Sequence, residues 1–136
     1  MTQLRPTSVT KAIDLLSATK VTLTRHQLPR RRPNIEERPL ATSAHGKIVS
    51  PYSPGAAKWS LPGALKADSK ALGYTKGIVE IAEEYFLKAY AYSGNGEYYG
   101  TEAFANVTEI DAWEADTREI IRALRRAIVT LQKQQD

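Results

Sequence analysis

The end of the chain constrains the fold more than any other part. Ile120, Ile121, Leu124, Ala127, Ile128 and Leu131 recur at spacings of three and four, which puts them on one face of a helix. Asp116 stands at the capping position with Glu119 three residues on, the pattern of a capping box. Arg118, Arg122, Arg125 and Arg126 fall on the other side. A helix with one apolar stripe must bury it against other elements. The spacing therefore predicts a helical domain in which further amphipathic segments supply that surface.

Those segments are present. Val9, Ala12, Ile13 and Leu16, widened by Leu15, follow a cap at Thr7 or Ser8 and predict a helix to about Lys20. Val21-Thr22-Leu23-Thr24 alternates apolar and polar residues and reads as extended. Ser53-Pro54 has the form of a cap followed by proline at the first helical position, so a second helix is expected from there through Trp59, broken or kinked at Pro62 and continuing to Leu72. Thr75 can cap a third, with Ile78, Val79, Ile81, Ala82, Tyr85, Phe86, Ala89 and Tyr90 as its stripe, to about Tyr92. Between the first and second helices the periodicity collapses, and residues 28–45 read as a long, mobile basic loop. Lys47-Ile48-Val49-Ser50 is expected to pair with 21–24 in a small hairpin. The fold class expected is mainly α: a single compact domain over 1–136, of about four helices, with a short two-stranded β-hairpin and the basic loop.

The 136 residues suit one domain of this kind. The chain has no cysteine and two histidines, His26 and His45, which removes disulfides, thiolate metal sites and most acid–base constellations. Glu83 and Glu84 are adjacent on a helix and point about 100° apart, so they form no catalytic dyad. No phosphate loop, nucleophile elbow or dinucleotide fingerprint occurs. A non-enzymatic protein with no cofactor and no bound metal is expected. No apolar run approaches a membrane span and the first residues lack a signal-peptide core, so a cytoplasmic location without a membrane partner is expected.

Charge is unevenly spread. Residues 1–50 carry nine Lys or Arg against three acids, whereas 51–115 carry five against nine. Arg30, Arg31 and Arg32, with Arg38 nearby, are candidate contacts for anions or nucleic acid, because guanidinium forks match phosphate. Arg118, Arg122 and Arg125, four and three apart on one helix face, are a second candidate set, with Glu114 and Glu119 at pairing distance from Arg118 and Arg122. Tyr92, Tyr98 and Tyr99 flank the turn Gly94-Asn95-Gly96 and form a candidate partner surface.

The segment from Gly46-Lys-Ile-Val-Ser-Pro51 through Trp59-Ser60-Leu61-Pro62-Gly63-Ala64-Leu65 resembles a family of small phage and bacterial proteins, common in actinobacterial genomes and classed as a domain of unknown function. Ala112-Trp113, Thr117, Glu119-Ile120-Ile121, Leu124 and Ala127-Ile128 fit the family's ending, while Ser60 stands where its members usually have cysteine. The resemblance implies an α-rich fold and a phage context, the host-cell cytoplasm if phage-encoded, and it implies no reaction. Trp59, Gly63, Ala64 and Leu65 read as packing residues. The function expected first is a phage-type accessory protein that binds a host or phage protein. The alternatives are a nucleic-acid-binding protein using the arginine-rich loop and last helix, and a counter-defence protein that sequesters a nucleotide signal.

Overall fold

The computed structural model describes residues 5–25, 39–91 and 117–135. Among them are helices α1 (Pro6–Arg25), α2 (Leu61–Leu72), α3 (Lys76–Ala91) and α4 (Thr117–Gln135), with strands β1 (Ala41–Ser43) and β2 (Ala56–Trp59). The chain is thus mainly helical and compact, with a two-stranded antiparallel sheet.

The stripes meet as their spacing demands. Leu15, Leu16 and Leu23 of α1, Leu61 and Leu65 of α2, Phe86 of α3, and Ile120, Leu124 and Leu131 of α4 are fully buried in one cluster. Each such side chain contributes about 1.5–3 kcal/mol of apolar transfer. α4 packs most extensively on α1 and next on α3. Its last turn reaches the start of α1, where Gln135 Nε2 donates to Thr10 Oγ1 at 2.8 Å. Its first turn meets the end of α3, where the Tyr90 hydroxyl donates to Glu119 Oε2 at 3.1 Å. α4 is therefore antiparallel to both.

Two expectations about α1 and the hairpin are corrected. Residues 21–24 are not extended but form the last turn of α1. Leu23 continues the line of Leu16 and Thr19, and burying it outweighs the β-propensity of its neighbours. The pairing partner of 47–49 is β1, since Ser43 N–H donates to Lys47 O at 2.8 Å and Val49 N–H to Ala41 O at 3.1 Å. β1 pairs on its other side with β2, Ala41 opposite Trp59 and Thr42 opposite Lys58. Residues 41–45, expected in the mobile loop, are thus strand and turn, with Ala41 fully buried.

The second helix also starts later than expected. Residues 53–59 are a turn and β2, and Ser60 is the cap of α2: its fully buried Oγ accepts from Gly63 N–H at 3.1 Å. Pro62 lies in the first turn, where proline is tolerated, and so begins the helix rather than breaking it. Gly73 ends it in the left-handed conformation (φ 72°), its N–H directed to Lys70 and Ser69 carbonyls. Gly63, Ala64 and Leu65 are buried, and Trp59 is partly buried against the same core. No described helix is long and apolar enough to cross a membrane.

Candidate anion-binding groove

Because α1 and α4 are antiparallel, the last turn of α1 lies beside the first turns of α4. An open groove of about 350 Å³ runs between them, lined by Thr24 of α1 and by Thr117, Arg118, Ile121, Arg122 and Arg125 of α4. The α-helical rise puts Arg118 and Arg125 about 10 Å apart along the axis, with Arg122 between them on the same face. All three guanidinium-bearing residues are exposed, and Ile121 beneath them is partly buried.

Among the described residues, no carboxylate is paired with the arginines of the groove. Glu119, expected to pair with Arg122, accepts from Tyr90 on the α3 side. The other expected partner, Glu114, lies outside the described residues. The first turn of α4 adds its own partial positive charge at the same end. The lining therefore offers three fixed cations, two hydroxyls and one aliphatic side chain. That set can hold an anion through charge-assisted hydrogen bonds.

Arg30, Arg31, Arg32 and Arg38, and Tyr92, Tyr98 and Tyr99, lie outside the described residues. Thr24, Thr117 and Ile121 are the groove residues that sequence reasoning missed. Ile121 was assigned to the inner stripe and Thr24 to a strand, and the neighbourhood of Thr24 and Thr117 depends on tertiary packing that no local pattern reveals.

Two carboxylates away from the groove are perturbed. Asp68 of α2 accepts from the Thr22 hydroxyl at 3.0 and 3.2 Å. Burial pushes its pKa up, against the lowering effect of Thr22 and of the nearby Thr19 hydroxyl. That Thr19 Oγ1 is fully buried and outside hydrogen-bonding geometry with any partner. Glu83 of α3 is likewise raised, first by burial; Lys66 opposes the shift and Glu80 adds to it.

Comparison with protein-family models, with curated proteins and with solved structures finds no match to this chain.

Proposed function

We propose that this protein acts by binding and that the groove between α1 and α4 takes the phosphodiester backbone of a nucleic acid. The observation that carries this reading is the row of Arg118, Arg122 and Arg125 along one groove with no carboxylate partner among the described residues. Three forks spaced along a helix suit a run of regularly placed anions better than a single carboxylate. In the phage-type accessory role implied by the resemblance around Trp59 and Gly63-Ala64-Leu65, the ligand would be host or phage nucleic acid.

Titration of labelled DNA and RNA over a range of salt concentrations tests it. Wild-type affinity should fall steeply with salt, and changing Arg118, Arg122 and Arg125 together to Ala should weaken binding and lower the slope by up to about three released counterions. The melting midpoint should barely move, because the three side chains are exposed. Binding with no salt dependence, or an unaltered slope in the triple variant, would reject the groove. Preferential binding of an acidic protein, or of a free nucleotide over a polymer, would redirect it to the other two classes.

A further inference from the structure

We infer that Tyr52, presented on the turn before β2, stacks on an unpaired base, so that the nucleic acid taken by this protein is single-stranded. The inference rests on the phosphate-binding reading of the groove and supplies what the groove lacks, a flat π-face.

The stretch of chain that carries Tyr52 is basic in sequence. Residues 38–67 contain no Asp or Glu, while Arg38, Lys47, Lys58 and Lys66 all fall among them. The Lys70 ammonium, reaching over from α2, lies 4.6 Å from the centroid of the Tyr52 ring. Tyr52 remains 48% exposed, and Ile48 on the same excursion is 51% exposed. Large side chains left in water on an acid-free stretch of chain, with the Lys70 ammonium over one of them, suit an anionic ligand with an apolar face. A nucleobase flanked by its phosphates has both.

The turn that carries the ring is also held in place before any ligand arrives. Tyr52 N–H donates to Ser50 Oγ at 3.1 Å, Ser53 N–H donates to Ser50 O at 3.0 Å, and Trp59 Nε1 donates to Pro51 O at 3.0 Å. The backbone on both sides of Tyr52 is thus fixed, one side by the indole of a residue packed against the core. An aromatic on a fixed turn loses less freedom when a base stacks on it, and the Lys70 ammonium over the ring adds a cation for a neighbouring phosphate. One aromatic and one aliphatic side chain are too little for the core of a stable protein interface, which needs roughly 800 Å² on each side. One ring suffices for one base. Bases offer their faces when they are unstacked, which selects single strands over duplex.

The experiment compares a short oligothymidine strand with the corresponding duplex, using full-length wild type, Tyr52→Ala, Tyr52→Phe and the Arg118/Arg122/Arg125 triple variant. The wild type should prefer the single strand. Tyr52→Ala should lose roughly tenfold in single-strand affinity with its salt slope intact, keep its duplex affinity, and melt as the wild type does; Tyr52→Phe should retain single-strand binding. Equal single-strand affinity for Tyr52→Ala and wild type, with loss confined to the arginine variant, overturns the role of Tyr52 and leaves the groove standing. A wild-type preference for duplex does the same. Absence of salt-dependent binding to either probe overturns the groove reading and this inference with it. Anionic phospholipid vesicles serve as the last arm: capture by vesicles that depends on Tyr52, without a single-strand preference, assigns the ring to a membrane surface and overturns the inference.

Discussion

The carbonyl oxygen of Leu40 lies 1.9 Å from where a Cβ on residue 63 would stand. That oxygen also accepts from Ser60 N–H at 3.1 Å, so the entry to β1 is seated directly on the first turn of α2. Glycine at 63 is what lets the strand and the helix approach this closely. The side chain of any other residue would have to move the backbone of Leu40, which leads into the fully buried Ala41.

Gly63→Ala should therefore destabilise by about 3 kcal/mol, the upper end of what overpacking costs, although alanine is the better helix former by about 1 kcal/mol. Denaturant unfolding monitored by circular dichroism measures it. An unchanged or higher midpoint would show that β1 is not seated on α2 in this way.

Trp59 ties the same region to the turn that carries Tyr52. Trp59→Phe keeps a ring against the core and removes the indole donor to Pro51, and should cost about 1 kcal/mol, as loss of one hydrogen bond does. Trp59→Ala should cost about 3 kcal/mol, the low end for such a truncation because the ring is only partly buried. Equal midpoints for wild type and both variants would contradict the packing of this ring.

How much of this was legible beforehand varies with the element. The stripe of α4 was legible in the sequence except at two positions: Ala123 is buried although the spacing omits it, and Ile121 is only partly buried and lines the groove. The last turn of α1 was not, since Val21, Thr22 and Thr24 carry strand propensity and only burial of Leu23 decides against it. The start of α2 was misplaced because Ser53-Pro54 and Ser60-Leu61-Pro62 both carry a helix-start signature. The contact of Leu40 with Gly63, joining residues 23 apart, selects the second. The arginine row was visible as spacing, but its opposite wall at Thr24 is a product of packing.

Asp68 and Glu83 give the protein a pH-dependent term. Burial raises both above their ordinary values of 3.8 and 4.5. A carboxyl whose folded pKa is raised contributes stability that is fully present below its unfolded pKa and is lost as pH rises through the folded one. These two groups therefore favour the fold more at about pH 4 than at pH 7. Asp68→Asn removes one of them, keeps an acceptor for Thr22 and adds an amide donor next to the buried Thr19 hydroxyl. It should raise the melting midpoint at pH 7, by up to about 1 kcal/mol of stability, and flatten the slope between pH 4 and pH 7. A lower midpoint at pH 7 would mean that the charged form of Asp68 is the one the fold prefers.

The proposal that the groove takes phosphates is tested most directly at the guanidinium groups themselves. Nitrogen–proton NMR of arginine side chains, recorded while an oligonucleotide is added at low salt, reports each Nε–Hε separately. The account predicts that the signals of Arg118, Arg122 and Arg125 shift together and saturably, that added salt reverses the shifts, and that exposed Arg5 at the far end of α1 stays unmoved. Saturable shifts confined to other arginines, with these three unchanged, would contradict it.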